Sequence, residues 1–142
     1  MNNHPHWANA IIYKTMSDIK RQKIQVDVDT TYIASSSEPE AARYVFAYSI
    51  TIKNTGNIEA QLLSRHWIIT DANGKVQEVH GEGVVGEKPH LQPGESFQYT
   101  SGAVIETSVG AMQGSYHLQD ADGEKFTATI APFSLSTPRT LH

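Results

Sequence analysis

Three glycines in six residues, within His80-Gly81-Glu82-Gly83-Val84-Val85-Gly86, are the residues of this sequence whose spacing most directly suggests chemistry. The pattern is G-x-G-x-x-G, which in dinucleotide-binding folds opens a helix whose N-terminus holds a pyrophosphate. Here Pro89, Pro93 and Gly94 follow, and two prolines so close together forbid a helix of useful length. Two readings remain. A glycine run can turn successive backbone N–H groups toward an anion without any helix, which makes Gly81, Gly83 and Gly86, with His80 beside them, the candidate anion site. Alternatively the run is a connection between sheets that needs positive φ values. Between His80 and His90 the formal charges are Glu82 and Glu87 against Lys88, so free pyrophosphate would meet like charge. Magnesium takes carboxylate and phosphate oxygens, and through Glu82 and Glu87 it would convert that repulsion into attraction. A ligand here is therefore expected to be a metal-bound phosphate compound.

The remaining reactive residues form no constellation. His66, His80, His90 and His117 include no pair at the i, i+4 spacing of a helix or the i, i+2 spacing of a strand, so no two fall on one face of an element. His4 and His6 sit in a segment without structure-forming pattern. Asp120 and Asp122 resemble the start of a calcium loop but lack its later acidic ligand, and a hairpin turn accounts for them. No G-x-S-x-G elbow occurs, and the absence of cysteine removes thiolate nucleophiles, disulfides and cysteine zinc sites. No catalytic residue is assigned. Arg65 reads as a mid-strand arginine on an exposed sheet face, with no ligand needed to explain it.

These residues must be positioned by a chain of 142 residues that is 39% hydrophobic, long enough for one domain with its own core. With 11 Lys and Arg against 15 Asp and Glu, the surface has no basic footprint, which argues against nucleic acid as a partner. The longest apolar run, Tyr44 to Tyr48, is far short of the roughly 20 residues that span a bilayer, and Asn2, Asn3, His4, His6 and Asn9 interrupt any signal-peptide core. A cytoplasmic protein without membrane insertion is expected. Met16-Ser17-Asp18 looks like a second start, so residues 1 to 15 are read as a flexible tail and 16 to 142 as the domain.

Strand periodicity dominates that domain. Ile24, Val26, Val28, Thr30 and Tyr32 alternate with polar residues, and Tyr44, Phe46, Tyr48, Ile50 and Ile52 mark the clearest strand, its aromatics serving the core. The apolar phase slips after Leu62, where a bulge is expected. Asn73-Gly74 should close a hairpin between 67–70 and 76–80, and Asp122-Gly123 another between 116–119 and 126–130. Phe97 and Tyr99 alternate after Pro93-Gly94, and a short segment follows at Val104–Ile105. Seven or eight strands with no amphipathic helix predict an all-β, antiparallel two-sheet β-sandwich, with a closed barrel as the alternative.

The blocks His80 to Gly86, Pro93-Gly94-Glu95-Ser96-Phe97, Tyr99-Thr100-Ser101-Gly102, Gly114-Ser115-Tyr116, Ile130 to Leu135 and Arg65 to Asp71 together resemble the bacterial ApaG family, from about Met16 to Leu135. One departure is Ala103-Val104-Ile105, where family members often carry Cys-Pro-Leu. The resemblance implies a fibronectin type III-like sandwich, a gene beside a diadenosine tetraphosphate hydrolase, and a genetic link to cobalt resistance and magnesium efflux, indirect for a chain with no spanning segment. It implies pyrophosphate at Gly81, Gly83 and Gly86. Eukaryotic relatives inside F-box proteins and a DNA polymerase delta partner imply recognition of proteins. A non-catalytic protein-interaction module is thus the first expectation, a phosphate, pyrophosphate or nucleotide sensor the second, and an enzyme acting on such a compound the third; no cofactor is required beyond possible magnesium with a phosphate ligand. Deleting residues 1 to 15 is expected to leave the melting temperature unchanged, and a large drop would show that the tail packs on the domain.

Overall fold

The computed structural model describes residues 21–138; the segment assigned above as a tail lies outside them. Eight strands follow in order, β1 (Ile24–Tyr32), β2 (Tyr44–Asn54), β3 (Ala60–Asp71), β4 (Val76–Glu82), β5 (His90–Leu91), β6 (Ser96–Ile105), β7 (Val109–Asp120) and β8 (Lys125–Ser136), with two short 3-10 turns between β1 and β2. All pairings are antiparallel. One sheet runs β1-β2-β6 and the other β4-β3-β7-β8, with β5 added to β3 below β4. This is the two-sheet sandwich, and the segment expected at Val104–Ile105 is the end of one continuous β6.

Alternation explains the layers. Phe46, Tyr48, Ile50 and Ile52 of β2 are buried and face Trp67, Ile69, Met112, Tyr116, Leu118 and Ile130 of the other sheet in one core. Trp67 is its centre, with the rings of Tyr48, Tyr116 and Phe133 edge-on at 5.5, 6.2 and 5.8 Å. The Tyr99 and Tyr116 hydroxyls, one from each sheet, pair at 2.5 Å and so satisfy each other's polar atoms inside the core. Buried Asn54 donates through Nδ2 to the carbonyls of Ile58 and Leu91 and accepts from Gly56 N–H, tying the β2–β3 connection to β5.

Both hairpins use one device. Asp71 Oδ1 accepts the N–H groups of Asn73 and Lys75, and Asp120 Oδ1 accepts those of Asp122 and Glu124. The acidic residues that resembled a calcium loop are thus turn residues. The register of β3 on β7 shifts between Leu62 and Ser64, the bulge expected from the phase slip.

Phe46 has no exposed surface, and Phe46→Ala is expected to cost about 3–5 kcal/mol in a denaturant titration. Burial pushes the Tyr99 phenol up to about 12 and raises that of Tyr116 as well. A folded-state value above the unfolded one near 10 means that this contribution to stability is complete below about pH 10 and is lost as pH rises toward 12. Urea midpoints measured from pH 8 to 12 should fall over that window, and less steeply in Tyr116→Phe.

Candidate functional site

The glycine run lies along the line where β4 and β5 pair with the same side of β3. It divides into two parts. His80, Gly81 and Glu82 are the last residues of β4, opposite His66, Arg65 and Ser64, so Gly81 is a strand residue rather than part of a loop. Gly83 to Pro89 is an excursion beside the β3 bulge, entered by Gly83 N–H donating to Leu63 and left where Pro89 accepts from Leu62 N–H. Inside it, Val84 and Glu87 exchange both backbone hydrogen bonds around Val85 and Gly86, whose φ values of 44° and 81° make a two-residue hairpin turn. Val84 is fully buried and anchors the excursion in the core.

Each glycine meets a separate steric demand. A Cβ on Gly81 would stand 2.6 Å from the Arg65 guanidinium, and one on Gly83, at φ 59°, would stand 2.2 Å from the Glu87 carbonyl oxygen. Gly86 faces open space and is required only by its φ. The N–H groups of Gly83, Val84 and Glu87 donate to carbonyls of the fold itself. Arg65 departs from its expected solvent-facing role: it is half-buried, crosses β4 over Gly81, and donates from Nη1 to the carbonyls of Glu82 and Gly83 at 3.1 and 2.8 Å. Glu82 pairs with Lys88 at 2.9 Å, and this hydrogen bond holds its carboxyl below the usual range. Glu87 is exposed at the end of the turn.

An open groove of ≈ 550 Å³ is lined by Ser64, Arg65, His80, Gly81, Glu82 and His117. His80 and His66 stack at 4.1 Å between centroids, 7° from parallel, and His66 Nε2 lies 2.8 Å from Glu78 Oε1. Sequence spacing missed this assembly because its histidines belong to different strands. Only Glu78 and His80, two apart on β4, carry a local signal, and it joins a carboxylate to a histidine rather than two histidines. His117 lies opposite Ser64 on β7, and His90 is elsewhere, beside Glu59.

The register also defines an edge that is free among the described residues. The end bonds Asp71 N–H to Lys75 and Gly83 N–H to Leu63 make the odd-numbered residues of β4 the ones bonded to β3. The N–H and C=O groups of Val76, Glu78, His80 and Glu82 therefore point away from the sheet, and Arg65 occupies the last of these carbonyls. Val76 and Val79 are 59% and 39% exposed along this edge.

A family model described as the ApaG domain matches residues 34–120. Protein ApaG from Azoarcus sp. (strain BH72) is 56% identical over 127 residues, 89% of this chain and all of that protein. Protein ApaG from Thiobacillus denitrificans is 57% identical with the same coverage. The crystal structure of a protein from Bordetella pertussis, described as the putative ApaA protein, superimposes with a TM-score of 0.83 at 48% identity, covering 86% of this chain and 99% of that one.

Gly83→Ala is expected to destabilise more than Gly86→Ala, because it adds a backbone clash to the strain of positive φ, which alone costs about 1–2 kcal/mol. Equal effects in thermal melts would contradict the clash. Val85 is a β-branched residue held at positive φ with 57% exposure, so Val85→Asn should stabilise by about 1 kcal/mol.

Proposed function

This chain belongs to the ApaG family, and from that premise we propose that it is a non-catalytic, cytoplasmic β-sandwich module that binds a partner protein by strand addition along β4. The observation that carries this is the β4 edge: among the described residues its outward backbone groups find no pairing strand, and Val76 and Val79 offer apolar contact on either side of them. An extended partner segment would gain main-chain hydrogen bonds along that edge and specificity from alternate side chains. The opposite side of the sandwich is less open, because β1 packs along β8 and Arg21 and Gln22 bond to Asp122 and Asp120. Any link to divalent-cation efflux would then run through the partner.

Val76→Pro removes an outward N–H that β3 does not use, a place where an edge strand tolerates proline. With the full chain as bait, a stoichiometric partner should be captured from lysate by the wild type and lost by Val76→Pro at unchanged melting temperature. Failure to capture any partner, or equal capture by the variant, would overturn the proposal.

The second proposal, a phosphate, pyrophosphate or nucleotide ligand, is favoured by Arg65 on the wall of the groove. Such a ligand would draw on Arg65 and His80 more than on N–H groups of the glycine run, several of which are already bonded. Magnesium held by Glu82 or Glu87 remains part of that proposal, although Glu82 must then leave Lys88. Calorimetric titration with pyrophosphate, with and without magnesium, should show enhancement by the metal that is lost in a Glu82→Gln, Glu87→Gln variant. Absence of binding in both proteins would leave the glycines as a turn and a crossing point for Arg65.

A further inference from the structure

We propose that His66, Glu78 and His80 form a binding site for one divalent transition-metal ion of the zinc class. The proposal stands on side chains of the outer sheet face and is independent of strand addition along the β4 backbone. One ligand atom from each residue lies within 4.8 Å of the other two. The backbone explains why. His66 and His80 are directly opposite each other at a non-hydrogen-bonded position of the β3–β4 ladder, where Cα atoms approach to about 4.5 Å and side chains are closest. Glu78 precedes His80 by two residues, lies on the same face and reaches diagonally to His66.

From these separations a chelate would close by side-chain movements alone. Two ligands at 2.0–2.1 Å from a tetrahedral ion stand about 3.3 Å apart. His66 Nε2 and Glu78 Oε1, now 2.8 Å apart and sharing a proton, would open by about 0.5 Å as the ion takes that proton's place. The largest separation in the cluster would close by at most about 1.5 Å. The stacked rings cannot both aim in-plane lone pairs at one ion, so the exposed His80 ring must turn about its Cβ–Cγ bond while His66, whose side chain is 22% exposed, keeps its place.

Two imidazoles and one carboxylate suit zinc, copper or nickel and are poor for magnesium, which wants oxygen ligands throughout. Three protein ligands leave at least one position for water or an anion. The neighbouring groove, with Ser64 and His117 on its wall, gives that position room.

The test is calorimetric titration of the full chain with zinc, repeated in excess magnesium, together with imidazole NMR signals. One zinc per chain should bind, magnesium should not displace it, and the signals of His66 and His80 should shift. His66→Ala and His80→Ala should each weaken zinc at least about 100-fold, beyond the loss of an outer-shell partner. Glu78→Gln, at a largely exposed side chain, should weaken it about tenfold without changing the melting temperature, which separates ligand loss from misfolding. Zinc retained by the His66→Ala, His80→Ala double variant, or lost on replacing only His4 and His6, would overturn the site, as would no binding by the wild type.

Discussion

The register of β3 is the constraint on which the rest of this structure depends. Trp67 is anchored in the core among Tyr48, Tyr116 and Phe133, and a slip of one residue would move every side chain of the strand to the other face. The bulge between Leu62 and Ser64 allows both halves of the strand to bury their apolar residues, Leu62 on one side of it and Trp67 and Ile69 on the other. The same register places Arg65 across Gly81, puts His66 opposite His80, and directs the even-numbered backbone groups of β4 outward.

The glycine run acquires a concrete meaning from this register. Beside the bulge, the chain must leave β3, turn, and return to it at Ala60 and Gln61 as β5. Gly83 and Gly86 allow that path at positive φ, and Gly81 leaves space for a guanidinium. Val84, buried in the middle, keeps the excursion attached to the core. A spacing shared with nucleotide-binding loops thus arises here from three unrelated steric demands, and the polar face next to it is built by the strands.

Local pattern revealed the elements for physical reasons that did not extend to the site. Alternation in β2, the Asn73-Gly74 turn and the phase slip after Leu62 are local consequences of burial and backbone geometry, so strands, hairpins and bulge could all be read from neighbours in sequence. Arg65 over Gly81 and His66 against His80 are separated by more than ten residues and exist only through strand pairing. Nothing local distinguishes an arginine that reaches across a neighbouring strand from one in solvent. Glu78 and His80 were the exception, since their spacing alone places them on one face. The pairing of Glu82 with Lys88 likewise depends on the turn at Val85 and Gly86 bringing the chain back on itself.

Residue-resolved amide hydrogen exchange along β4 in the free protein tests the central claim most directly, because it reports which backbone groups the β3 register consumes and which it leaves to a partner. The N–H groups of Gln77, Val79 and Gly81 should be protected by β3, while those of Val76, Glu78, His80 and Glu82 should exchange far faster. Equal protection along the strand, or protection of the even-numbered residues instead, would contradict the register and with it the free edge.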